Sequence, residues 1–103
     1  MYREKVEITL IRCEGAIVEG FERKVVTESS TIIADELSVN RSEFYGAAQA
    51  GRKADKIFEI WAFEYDEQQY VEYEGKEHEV VRTYADSPDR IQLTCQRKDG
   101  LWK

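Results

Sequence analysis

Between residues 57 and 84 apolar and polar residues alternate at strand period. The run Ile57-Phe58-Glu59-Ile60-Trp61-Ala62-Phe63-Glu64 is followed, after a break, by Tyr70-Val71-Glu72-Tyr73 and then by Glu77-His78-Glu79-Val80-Val81-Arg82-Thr83-Tyr84. Aromatic and β-branched residues dominate each run, which is the composition of a half-buried pleated surface. Glu74-Gly75-Lys76 lies between the last two runs, and Gly75 has the backbone freedom that a tight reversal needs. The stretch predicts an antiparallel meander with one face buried and the other wet. It contains nothing arranged like a set of catalytic groups.

The flanking segments extend this pattern. In residues 5–13, Val6, Ile8 and Leu10 share one face and Glu7 and Thr9 the other, which predicts a first strand. Residues 14–22 carry two glycines and little periodicity and read as a loop or hairpin end, with Phe21 placed to pack back onto the core. Residues 23–39 fit one long bent strand or two short ones; Ile33, Asp35, Leu37 and Val39 then share a face that Asp35 spoils unless it lies at a solvent edge. Asn40 and Glu43 form a capping-box pattern, Phe44, Ala47 and Ala48 fall on one side, and Gly51 is a natural stop, so a short helix is expected over 41–50. Pro88 sets a turn in 85–89, and Ile91, Leu93 and Cys95 alternate with Gln92, Thr94 and Gln96 in a last strand. Residues 98–103 form a polar tail. Its Trp102 packs on the end of its own barrel, touches a neighbouring subunit, or is exposed.

The expected fold is therefore all-β dominated: a small antiparallel β-barrel with one short helix, forming a single domain over residues 1–103. Ile8, Leu10, Ile33, Phe58, Ile60, Val80, Ile91 and Leu93 are the expected core.

Charge and chemistry narrow the function. The formal net charge is -6, and the longest basic clusters are Arg52-Lys53 and Arg97-Lys98, too short to hold a phosphate backbone. A negative surface of this kind suits one that DNA passes without sticking. Cys13 and Cys95 form no CxxC motif and read as reduced core thiols, a disulfide between first and last strands being the alternative. No apolar run reaches membrane-spanning length, and Met1-Tyr2-Arg3-Glu4-Lys5 does not open a signal peptide, so a cytoplasmic origin without membrane contact is expected. His78 is the lone histidine, and its neighbours Glu77 and Glu79 point to the opposite face of a strand. One His and two distant Cys do not make a zinc site; the acidic residues of the meander, Glu77 among them, mostly take the polar positions or turns of a solvated face and match no calcium loop. No cofactor, no metal and no enzymatic activity are expected. Tyr65, Tyr70, Tyr73 and Tyr84 crowd one part of the chain and make at least one subunit contact an expectation.

In order, Glu7-Ile8-Thr9-Leu10, Asn40-Arg41-Ser42-Glu43-Phe44-Tyr45, Ala47-Ala48-Gln49-Ala50-Gly51, Phe58-Glu59-Ile60, Tyr73-Glu74-Gly75-Lys76, Arg82-Thr83-Tyr84 and Ile91-Gln92-Leu93-Thr94-Cys95 resemble the head-tail joining proteins of tailed bacteriophages, also called head closure, stopper or head-tail adaptor proteins. The resemblance spans nearly the whole chain. It departs from the usual pattern over residues 15–30, and at position 78 a histidine stands where an aromatic is more typical, which implies that His78 packs rather than reacts. The family implies a small β-barrel that assembles as a homo-oligomeric ring beneath the portal and adaptor of a filled capsid. The ring retains packaged DNA and gives the tail or tail-terminator protein a docking face. Implied locations are the virion head-tail junction and, before assembly, the host cytoplasm, with the isolated chain either monomeric or already assembled. A small non-enzymatic tail-terminator-like or other protein-binding module is the alternative.

Within that reading, residues 40–56 are the expected contact segment. A helix so short needs a surface to rest on, and Arg41, Arg52, Lys53 and Lys56 form a basic cluster suited to an acidic neighbour. Phe44 anchors the helix while Tyr45 meets a neighbour, unless the segment merely caps one open barrel end. Trp102 completes the expected interface set.

Overall fold

A computed structural model describes residues 3–37, 56–85 and 87–102. They form six strands: β1 (Arg3–Val18), β2 (Phe21–Leu37), β3 (Lys56–Trp61), β4 (Tyr70–Tyr73), β5 (Lys76–Tyr84) and β6 (Arg90–Arg97). All pairings are antiparallel. The order β1-β2-β3-β6-β5-β4 returns to its start because β4 pairs with β1 through Thr9↔Glu72, Leu10↔Val71 and Ile11↔Tyr70. The only helix among the described residues is one 3-10 turn, Ala62–Glu64, which ends β3 where the sequence reading continued the strand. The helix expected over 41–50 lies outside the described residues.

Alternation places the core. Ile8, Leu10, Ala34, Phe58, Ile60, Val71, Leu93 and Cys95 are buried together inside the closed strand order, with Val6, Ile32, Val80 and Ile91 packed against them. Ile33 departs from the expectation: it is 58% exposed, and Ala34 takes the inward position. The reason is the register with β1: Ile33 pairs with Glu7, whereas Ile32 and Ala34 pair with Ile8 and Val6 of the apolar face. The register of the β1–β2 pair shifts at Arg12/Cys13, where Arg12 faces Glu28 and Cys13 faces Val26, so Thr27 is an extra residue in β2. This bulge offsets the alternation of residues 21–26 from that of 28–37. Residues 23–37 thus belong to one long bent strand. Asp35 is buried on the outer face by ionic partners rather than left at a solvent edge.

Of the two readings of residues 14–22, loop or hairpin end, the structure has the hairpin end, but Phe21 is exposed rather than packed back onto the core. β1 continues to Val18, a two-residue turn reverses the chain, and β2 starts at Phe21. Glu19 and Gly20 both hold positive φ (52° and 82°), the combination of a type I′ hairpin turn. Glu74-Gly75 does the same between β4 and β5 (52° and 74°), as the sequence predicts. Cys13 and Cys95 are both unbridged and buried. Cys95 is in the core, whereas Cys13 sits in an outer cluster with Ile11, Tyr70 and Leu101.

Polar side chains close over the ends of the core. At one end Glu36 accepts hydrogen bonds from Lys56 Nζ (2.8 Å) and from the Tyr73 hydroxyl (3.0 Å). The Tyr73 ring meets Phe58 edge-on at 5.2 Å, and burial, then the bond to Glu36, push its phenol well above the ordinary range. At the other end the Arg12 guanidinium binds the Asp66 carbonyl and carboxylate oxygens, and Gln68 donates to Glu28.

Candidate interaction surface

The longest feature of the molecule is an arm made from the far halves of β1 and β2. Pairing of β1 with β4 involves only Thr9, Leu10 and Ile11, and pairing of β2 with β3 involves only Asp35, Glu36 and Leu37. The chain between them, from Arg12 round to Glu28, is a two-stranded ribbon, in a molecule of 48 × 30 × 24 Å. The pairs Glu14↔Val25, Ala16↔Arg23 and Val18↔Phe21 lie on the face that continues the ring interior; Ile17 and Val26 lie on the other. Phe21 is 68% and Ile17 73% exposed, with Val18, Val25 and Val26 also exposed. A two-stranded ribbon cannot bury an apolar face by itself, and a cluster of exposed apolar side chains marks a contact surface. The bulge and the Arg23-Lys24 pair work against edge-on strand pairing, so the arm presents its faces rather than its edges.

Lys24 ties the arm to the body. Its Nζ donates to the Tyr70 hydroxyl at 2.7 Å and lies 5.1 Å from the Tyr70 ring centre, and that hydrogen bond raises the Lys24 pKa. A second exposed apolar group stands on the shoulder where β3 ends. Trp61 and Phe63 stack at 6.5 Å, Phe63 is exposed, and the Ala62 N–H donates to the Asp89 carbonyl at 2.7 Å, which fixes the turn beside Pro88.

Beneath this shoulder lies an ionic lattice. Arg90 reaches Asp35 Oδ2 at 3.0 Å and Glu59 Oε1 at 3.2 Å, and stacks on Trp61 at 4.4 Å. Gln92 donates to Glu59 Oε2 at 3.3 Å, and Lys5 pairs with Asp35 at 2.6 Å. The register Lys5↔Asp35↔Glu59↔Gln92 sets these groups in one row across four strands. Both buried carboxylates are held by cations or amides, which makes the row a brace for the wall.

Of the residues expected at an interface, Arg41, Phe44, Tyr45, Arg52 and Lys53 lie outside the described residues. Lys56 is half-buried, bonded to Glu36 and set over the Tyr73 ring at 5.6 Å. Trp102 is half-buried on the outer wall with its ring 5.6 Å from that of Tyr70, rather than on the end of the closed strand order. The two share none of these partners. Sequence reasoning missed the arm, although Val18 and Phe21 flank Glu19-Gly20 as strand residues flank Glu74-Gly75. It also missed Glu77, treated as a solvated strand position but buried against residues 98–102.

His78 is buried, with Nδ1 3.2 Å from the Lys76 carbonyl oxygen and its ring 6.4 Å from that of Tyr73. It faces inward opposite Val71, away from the side of Glu77 and Glu79. Burial raises the pKa of both Cys13 and Cys95 thiols, which weakens each as a nucleophile. Among the described residues no group of three or more His, Cys, Asp or Glu side chains is placed to hold a metal ion, and no helix is long and apolar enough to cross a membrane. No family model, curated protein or solved structure matches the chain.

Proposed function

We propose that this protein is a structural, non-enzymatic ring subunit of a phage or prophage head-tail connector, a small β-barrel with a short helix over 41–50, that closes the DNA-filled head and offers the tail its docking surface. The observation that carries the reading is the apolar arm. A small strand body with a braced wall and a protruding ribbon of Val18, Phe21 and Val25 suits a subunit that must touch neighbours. The resemblance in residue order supplies the class of assembly: portal or adaptor protein on one side, tail or tail-terminator protein on the other, at the virion head-tail junction. The same arm would serve a tail-terminator-like or other protein-binding module outside that junction, and this is the second reading.

The test is head completion. Tyr45→Ala, a charge reversal of Arg52 with Lys53, and Phe21→Ser are each scored for monomer folding and for filled heads that accept tails. Leu93→Ala serves as the folding control. Folded variants whose heads leak DNA or stay tailless are expected. Normal tail joining by all three would overturn the assignment.

A second expectation follows from charge. The isolated protein binds duplex DNA weakly or not at all at physiological salt, because its net charge is -6 and its basic runs are short. In a fluorescence titration, tight and salt-sensitive binding would contradict it.

A further inference from the structure

Glu77 lies on the outer face of β5, where a strand carboxylate is ordinarily solvated, yet it is buried. Residues 98–102 turn back over it. The Lys98 N–H donates to the Glu77 carbonyl oxygen at 3.1 Å. The N–H groups of Leu101 and Trp102 both donate to Glu77 Oε2, at 2.7 and 2.8 Å. Leu101 is buried in a cluster with Ile11, Cys13 and Tyr70, and Trp102 lies against the Tyr70 ring. Charge-assisted bonds to a carboxylate and a buried leucine make a defined seat for a short peptide segment.

The hinge of this strap is three exposed residues, 98–100. Gly100 holds φ +76°, so the compact turn depends on a residue without a side chain. The seat is built by β1, β4 and β5, and none of its side chains comes from the hinge. An identical segment from another copy would make the same bonds in the same seat, which is the condition for low-cost exchange between protomers, and short constrained hinges favour it. Opened out, residues 97–102 span roughly 20 Å, enough to cross to an adjoining subunit.

We propose that residues 98–102 are an exchangeable strap, closing on their own Glu77 in the lone chain and on Glu77 of an adjacent copy in the assembly. The role of the exchange rests on the ring-subunit reading; its existence is tested without phage, so either claim can fail alone.

The experiment uses Gly100→Val, which opposes the positive φ and favours an extended hinge. Oligomer mass is followed by light scattering, and Cys13 by labelling with a maleimide; Cys95, inside the core, reports global unfolding. Exchange predicts an oligomer in which Cys13 stays protected. Adding Glu77→Gln then dissolves the oligomer and speeds Cys13 labelling about tenfold, the size expected for losing a hydrogen bond to a charged group. A Gly100→Val protein that stays monomeric overturns the proposal, whether Cys13 is protected or labelled. So does an oligomer with exposed Cys13, which would be held by another surface such as the arm. Should Gly100→Val not fold, copies carrying Glu77→Gln are mixed with copies carrying Leu101→Ala and Trp102→Ala. The first supplies an intact strap and the second an intact seat, so mixed dimers are expected; their absence overturns exchange.

Discussion

Arg90→Ala is expected to destabilise the protein by about 3–5 kcal/mol, the cost of removing one partner from a buried ionic group. Arg90 contacts both carboxylates, at 3.0 Å to Asp35 and 3.2 Å to Glu59. The Asp35 and Glu59 side chains are 10% and 7% exposed, so water cannot replace the lost guanidinium cheaply. Lys5 remains beside Asp35, but it is 74% exposed and its pairing is correspondingly screened. Trp61 would lose the cation that covers its ring at the same time. Arg90→Lys keeps the charge but not the fork, and cannot serve both carboxylates in the same geometry, so an intermediate loss is expected. Combining Arg90→Ala with Asp35→Asn and Glu59→Gln removes the stranded charges and recovers part of the stability. Urea unfolding reads all three variants as shifts in midpoint at constant slope. An Arg90→Ala midpoint within error of the parent would show that the row is decoration and that the wall is braced elsewhere.

That lattice also marks the limit of what the sequence discloses. Strand identity was legible wherever one face is uniformly apolar: Val6, Ile8 and Leu10 in β1, Phe58 and Ile60 in β3, Ile91, Leu93 and Cys95 in β6. The hairpin at Glu74-Gly75 was legible from its turn chemistry. Asp35 was not, because its stabilising partner Arg90 is 55 residues away and reaches it only through the β2-β3-β6 pairing. Ile33 and Ala34 exchanged roles because β2 takes its facing from β1: Ile33 pairs with Glu7 and Ala34 with Val6, a register that the residues of β2 alone do not state. The sequence leaves the arm between a loop and a hairpin end because its tip is exposed on both faces; with no buried side there is no alternation to detect. Glu77 was read as a wet strand position because the residues that bond to its carboxylate follow 24 and 25 positions later and meet it through backbone N–H groups, which any sequence possesses. Of the expected interface, only Lys56 and Trp102 fall in the described residues, and both make partners within the chain.

Leu93→Ala is expected to cost about 2–5 kcal/mol, the transfer term plus the cavity left in a packed core. Leu93 is fully buried, pairs in register with Phe58, and belongs to the cluster holding Ile8, Leu10 and Ile60. All six strands supply residues to this cluster or pack against it, so neighbouring strands cannot slide in to fill the space without breaking ladder bonds. Ile60→Ala should behave alike, since Ile60 is fully buried and faces Ile91 in register. The informative partner is Ile33→Thr. Hydrophobic pattern alone puts Ile33 in the core, but its pairing with Glu7 places it on the outer face, and the substitution keeps β-branching, so a change within about 0.5 kcal/mol is expected there. Denaturant unfolding of the three variants therefore separates the two registers of β2. A large loss at Ile33 with a small one at Leu93 would mean that the strand runs one residue out of phase with the arrangement described, and the inward and outward faces of β2, with the arm that extends from it, would have to be exchanged.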